Sequence, residues 1–462
     1  MGAAELYLKW DIIFWMKQME HKERVVLKIP NFIDNLNYFM ILFLIIGYIL
    51  FSKKFSKLNI NFLGIPFYVT ETIVILIIAL YLYKIIFVNS GKLIIKNPLK
   101  IEFFLFYFVF FISLISGFFL YSDCIYILRQ SALYYYSIFY FLIILIFSNI
   151  RNFSKVRFIF ILFFIFSNIV AFLFIFNVLG IIDIGNTGFL DASYFYISIL
   201  LLIELVYLTY LRQKVFIAIF LTNIFILSVV IILYNVSGNW VALLIAIMLF
   251  CIFFIVIPKI KTNLKRFGAI IFITTLCMLV LISIIFVYKP FLLFGTKEEV
   301  LSFFNILTGK SSAAINARWR LITWRDMIFE VFKRPMLGYG FGKKFISQTT
   351  LNLGWTTGLK EGWVEAHNFC LSFLYRSGFL GLSVFFLVIG SFLNKVMRFL
   401  KICKEEEIKI IIVSLLLCII YILALGLFEV VLEVPYHSFF LWIFMGLVVV
   451  IMNFYNEKFV VC

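Results

Sequence analysis

Residues 410–428 read IIIVSLLLCIIYILALGLF, nineteen consecutive residues without a charge. A helix needs about 20 apolar residues to cross the hydrocarbon of a bilayer and a barrel strand about 9–11, so this run is long enough for a helix and too long for a strand. Hydrocarbon offers no partner to a free backbone group, which leaves a spanning helix as the reading. Working outward, similar runs occupy 33–51, 66–88, 101–121, 130–149, 157–181, 193–211, 215–234, 239–257, 267–288, 374–394 and 436–454. They predict an all-α polytopic membrane protein of about 12 transmembrane helices, with residues 1–462 forming a single integral membrane domain. Composition agrees: 65% of the chain is hydrophobic and 14% charged, against about 25% charged in soluble domains.

Charge decides orientation. The formal net charge of +17 sits in short clusters between the apolar runs, not on one face, so no nucleic-acid partner is expected. Alternate connections are basic: Lys92, Lys96 and Lys100; Arg151, Lys155 and Arg157; Arg212 and Lys214; Lys259, Lys261, Lys265 and Arg266; Lys395, Arg398, Lys401, Lys404 and Lys409. The positive-inside rule puts these in the cytoplasm and, with an even number of spans, both termini with them. The connections 183–191 and 429–433 contain no Lys or Arg and are expected outside. Lys53, Lys54 and Lys57 break the pattern at the first hairpin. Residues 1–30 lack the apolar segment and cleavage site of a signal peptide, and Met16 and Met19 are alternative starts. Seven cysteines (Cys124, Cys251, Cys277, Cys370, Cys403, Cys418 and Cys462) show no metal-binding or paired spacing and read as small hydrophobes.

Between Pro290 and His367 the chain stops being hydrophobic, and loops of this length are usually functional or disordered. The predicted external loop, 289–368, is rich in Trp, Gly and Arg. Its segment NARWRLITWRDMIFEVFKRP (316–335) brings Trp324, Ile328 and Phe332 round at helical spacing and stops at Pro335, predicting an amphipathic helix at the outer membrane surface. Arg320 and Trp324 share a face, whereas Arg318 lies about 160° from Arg320 unless the helix starts between them. With Arg325, these guanidinium forks suit a phosphate or diphosphate; snorkelling to lipid headgroups is the plainer reading. Gly338, Gly340 and Gly342 alternate after Pro335, as in a tight turn whose amides approach an anion, or in a purely structural turn.

His367 and Asn368 stand together where the chain re-enters the membrane. An imidazole there can exchange a proton near neutral pH, as activation of a sugar hydroxyl requires, although a hydrogen-bonded structural role is the common one. Arg129 joins this cationic set or anchors the interface. Glu71 and Glu204 are expected inside the bundle, since a carboxylate facing lipid is costly. His437 follows Glu429 and Glu433, but Pro435 breaks the register, and no metal site is expected.

The order R-x3-W (Arg320, Trp324), P-x2-G-x-G (Pro335, Gly338, Gly340), HN (His367, Asn368) and G-x2-G (Gly378, Gly381) resembles the O-antigen ligase and polymerase family. The signature covers about 65 residues. The resemblance implies a GT-C-like, metal-independent glycosyltransferase without a cofactor, acting on undecaprenyl-diphosphate-linked oligosaccharide at the outer face of the bacterial cytoplasmic membrane. It gives Arg320 to the diphosphate and His367 to the acceptor hydroxyl; beside them, Arg318, Arg325, Arg129, Trp324, Gly338, Gly340 and Asn368 are the candidate substrate-binding residues of the residue-by-residue reading. One departure stands in SGNWVALLIAIMLF (237–250): Ser237 and Gly238 match, but Asn239 occupies a place where relatives carry Arg.

These features favour a polymerase of O-antigen or capsule repeat units. A ligase moving finished glycan onto lipid A core or another acceptor shares the same motifs. A flippase would show repeated halves and ionisable groups near the midplane, which are not evident. The bilayer and other glycan-assembly membrane proteins complete the expected partners.

Overall fold

The computed structural model describes residues 32–62, 65–88, 97–147, 154–183, 190–210, 213–234, 236–256, 312–352 and 365–459. Helix α1 (Phe32–Lys57) leads into a hairpin of β1 (Asn59–Phe62) and β2 (Ile65–Tyr68), where Asn59 faces Tyr68. The alternation Asn-Ile-Asn-Phe explains this local departure from helix. Then come α2 (Val69–Tyr83), α3 (Lys100–Leu120), α4 (Cys124–Gln130), α5 (Ala132–Tyr135), α6 (Ile138–Phe147), α7 (Ser154–Val178), α8 (Tyr194–Tyr210), α9 (Lys214–Tyr234) and α10 (Ser237–Val256). The polar segment supplies α11 (Ser312–Lys333) and α12 (Gln348–Asn352), and the chain closes with α13 (Phe369–Ile402), α14 (Glu406–Leu425) and α15 (Pro435–Phe459).

Among the described residues, eight helices are long and apolar enough to cross a membrane: α1, α2 with its continuation to Phe87, α3, α7, α9, α13, α14 and α15. The expected span 130–149 is instead a broken one, with α4–α5 meeting α6 at 51°. Helices α8 and α10 are shorter apolar helices, and the expected span 267–288 lies outside the described residues. The expected count of about 12 is therefore not reached among them.

Helices α14 and α15 form the middle of the bundle, each with 83% of its apolar window buried, whereas α9 buries only 22% and turns the rest outward. Around them pack α6, α8 and α10, while α3 lies against α13. Small residues permit the close approaches on which packing in lipid depends. A Cβ on Gly446 of α15, for example, would meet the Tyr140 carbonyl of α6 at 3.0 Å.

The bundle has two chemically different ends. At one, Arg157 forks onto Glu407 at 2.7 Å on each arm, Lys395 pairs with Glu102 at 3.2 Å, and Lys155 reaches Asn35 at 3.0 Å. The start of α1 and the end of α15 both lie there, the latter through Tyr455, which accepts from the Lys404 amide. At the other end lie α11 and the starts of α10, α13 and α15.

Helix α11 is held to α13 by an exchange of backbone hydrogen bonds. Gly378, at φ +65°, breaks α13, which frees the Tyr375 and Arg376 carbonyls to accept from the amides of Tyr339 and Gly340, each at 2.9 Å. In return, Phe379 and Leu380 donate to the carbonyls of Pro335 and Met336 at 2.7 and 3.2 Å. The polar backbone freed by the broken helix is thereby satisfied.

Candidate active site

Beginning at Ser312, α11 includes both Arg318 and Arg320. Trp319, Thr323, Met327 and Val331 form its buried stripe at four-residue spacing, whereas Ile328 and Phe332 are exposed. Of the expected Trp324–Ile328–Phe332 stripe, only Trp324 turns toward the protein, because α13 and the glycine turn cover the neighbouring face. Arg320 is on the covered side. Arg318, two positions earlier on the same continuous helix, lies on the opposite side.

Arg320 Nη2 donates to Glu429 Oε1 at 3.2 Å, and Glu429 Oε2 stands 3.7 Å from His367 Nδ1. The expected pair thus meets across a carboxylate from the α14–α15 connection. Trp319 closes the site, its ring edge-on to the imidazole at 5.6 Å. Arg320 Nε, His367 Nδ1 and Trp319 Nε1 are buried without a hydrogen-bond partner among the described residues. Burial would raise the Glu429 carboxyl, but His367 and Arg320 outweigh it and hold it below the ordinary carboxylate range. The start of α10 belongs here too, since a Cβ on Gly238 would lie 3.6 Å from Glu429 Oε1.

The backbone at His367 is itself unusual, with φ +48°. Conformations of this kind in non-glycine residues persist where surroundings enforce them, and often mark functional sites. Four hydrogen bonds enforce this one. Trp324 Nε1 donates to the Ala366 carbonyl at 2.6 Å; Asn368 caps α13 through the Leu371 amide and donates to the Leu427 carbonyl, both at 3.2 Å; and the Phe369 amide reaches Gly426 at 2.9 Å. Trp324 and Asn368 therefore position His367.

The other expected residues are placed elsewhere. Arg325 is mostly exposed and bonds Asp326 and Thr349, at 2.9 and 3.0 Å. Gly338 and Gly340 adopt φ +64° and +75°, but their amides already bond the carbonyls of Arg334 and Arg376, at 3.1 and 2.9 Å. Arg129, exposed on α4, acts electrically on a second cluster. There Arg376, 4% exposed, donates to Glu433 at 2.5 Å and to Glu365 at 2.9 Å. Burial, then the Glu433 charge, raise Glu365 to about 7 against the pull of Arg376 and Arg129. A shallow recess, open to solvent, is lined here by Tyr126, Gln130, Lys343, Glu365, Ser372 and Arg376.

Asn239 faces inward, its Oδ1 accepting from Ser198 at 3.1 Å and Tyr421 at 2.5 Å. Glu71 accepts from Tyr135 and Tyr136, at 2.9 and 3.0 Å, and Glu204 from Asn223, so both lie within the bundle. His437 is 3% exposed and packs on Phe195 and Tyr436. Among the described residues no group of three His, Cys, Asp or Glu side chains is placed to hold a metal. Sequence reasoning missed Glu429, Trp319 and the Glu365–Arg376–Glu433 cluster. Their signal was two carboxylates in a connection without Lys or Arg, directly after an apolar run.

Comparison with known proteins gives two matches. One is a 29% identity over 197 residues to the ComP-specific O-oligosaccharyltransferase of Acinetobacter baylyi, covering 42% of this chain. The match spans 32% of that relative's length, about a third. The other is a family model described as O-antigen ligase, which matches residues 222–386, from within α9 into α13 and including Arg320, His367 and the glycine turn. Over these residues this membrane protein is similar to the O-antigen ligase family.

Proposed function

We propose that this chain is a glycosyltransferase that takes a glycan from an undecaprenyl-diphosphate carrier and joins it to an acceptor sugar hydroxyl, polymerising repeat units. The observation that carries this reading is the convergence of Arg320 and His367 on opposite oxygens of Glu429, at 3.2 and 3.7 Å. It combines a charge for the leaving group and a base for the acceptor at one end of a membrane bundle. The acceptor oxygen attacks the anomeric carbon as His367 Nε2 takes its proton. The bond from that carbon to the diphosphate breaks, the electron pair leaves on undecaprenyl diphosphate, and Arg320 stabilises the developing charge. Arg320 supplies that charge without a metal. Placing the basic end in the cytoplasm puts the site at the outer face of the bacterial cytoplasmic membrane.

The description of the matching family and the name of the relative favour a second reading, in which the acceptor is lipid A core or a different molecule. Cells carrying Arg320→Ala or His367→Ala are expected to insert the protein normally and to accumulate unextended lipid-linked units. Normal glycan ladders in His367→Ala would overturn the assignment. Assays with and without lipid A core separate polymerase from ligase.

A further inference from the structure

Glu429 is one carboxylate placed between two cation-forming groups. Oε1 pairs with Arg320 Nη2 at 3.2 Å, whereas Oε2 stops 3.7 Å from His367 Nδ1, beyond hydrogen-bonding distance. Arg320 Nε and His367 Nδ1 are buried and lack a partner among the described residues. In this arrangement the carboxylate hydrogen-bonds Arg320 and not His367. Its backbone is fixed, the Glu429 amide donating to the Leu425 carbonyl at 2.9 Å, so the side chain alone is left to choose. Among the described residues, the other titratable groups acting on it are Tyr194 of α8 and Tyr436 and His437 of α15. His437 is packed against Phe195 and Tyr436, which leaves Arg320 and His367 as the cationic partners.

We propose that Glu429 is a positioning residue that couples donor binding to activation of His367: it neutralises Arg320 until a diphosphate takes the guanidinium, then closes on the imidazole. This rests on the donor reading above. Diphosphate oxygens and the Glu429 carboxylate compete for the same guanidinium, and their repulsion drives the carboxylate across the remaining gap to Nδ1. A carboxylate on one ring nitrogen fixes the tautomer and leaves the other free as base. Nε2 then accepts the acceptor proton, and Glu429 balances the imidazolium that forms. An acceptor is thus activated only when a donor is in place.

The test compares purified full-length wild type, Glu429→Gln, Glu429→Asp and Arg320→Ala. Equilibrium binding of undecaprenyl diphosphate is measured beside kcat and donor KM with lipid-linked repeat units. Glu429→Gln is expected to bind undecaprenyl diphosphate about 3- to 10-fold tighter, since a competing ion pair is removed. Its kcat is expected to fall at least about tenfold as the imidazole loses its partner. Asp keeps the charge but, one methylene shorter, withdraws from both groups, so donor affinity should lie between wild type and Glu429→Gln while kcat falls. A purely structural role would not move affinity and turnover in opposite directions. Glu429→Gln binding no tighter, or turning over normally, overturns the coupling while Arg320→Ala still weakens binding. Arg320→Ala binding as well as wild type overturns the donor reading itself.

Discussion

His367 shows how a single residue is made ready. Its φ of +48° is held by an indole on one side and an asparagine cap on the other. Trp324→Phe keeps the ring but removes the donor to the Ala366 carbonyl, a loss of about 1–3 kcal/mol if that oxygen stays buried and unpaired. We expect kcat to fall with donor KM unchanged; an unchanged kcat would remove Trp324 from this role. Glu365 offers a pH test. Its raised carboxyl, at about 7, means that the folded protein holds this proton more tightly than the unfolded chain. The stability it contributes is full below the ordinary carboxylate range and is lost as pH rises toward 7. Glu365→Gln mimics the neutral form, so its apparent Tm should match wild type near pH 5 and exceed it near pH 8. A wild-type advantage growing with pH would contradict this.

Between elements, the glycine motifs prove to be one device. The turn after Pro335 docks into the break that Gly378 makes in α13, and a Cβ on Gly338 would meet the Tyr375 carbonyl oxygen and the Gly378 amide nitrogen at 2.7 Å. Gly338→Ala suffers that clash and the left-handed backbone, about 1–2 kcal/mol from the backbone alone. A large fall in Tm, with loss of monodisperse protein, is expected. Gly390→Ala, in open space on the same helix, should be neutral or stabilise by up to about 1 kcal/mol. Equal Tm losses in the two variants would remove the lock. The spacing of these glycines is legible in sequence, but their use is not. Whether an alternate-glycine turn offers its amides to a ligand depends on which carbonyls arrive opposite, and those belong to Tyr375 and Arg376, over thirty residues on. Glu429 was hidden for the same reason, being brought to His367 where the end of α14 meets the start of α13 through the Phe369 amide on Gly426 and Asn368 on Leu427.

At the scale of the molecule, run length and hydropathy were enough for the helical bundle, because lipid leaves the backbone few alternatives. Hydropathy could not show the 51° break before α6, nor the break that Gly378 makes in α13, since kinks are settled by neighbours. The same bundle places the Arg157–Glu407 and Lys395–Glu102 pairs at one end and the Arg320–Glu429–His367 cluster at the other. The most direct measurement uses the full-length protein in lipid nanodiscs with undecaprenyl-diphosphate-linked repeat units and a chelator, following release of undecaprenyl diphosphate and formation of glycosidic bonds together. The account predicts one carrier released per bond formed in wild type and neither product in His367→Ala. Bond formation by His367→Ala at the wild-type rate would contradict it.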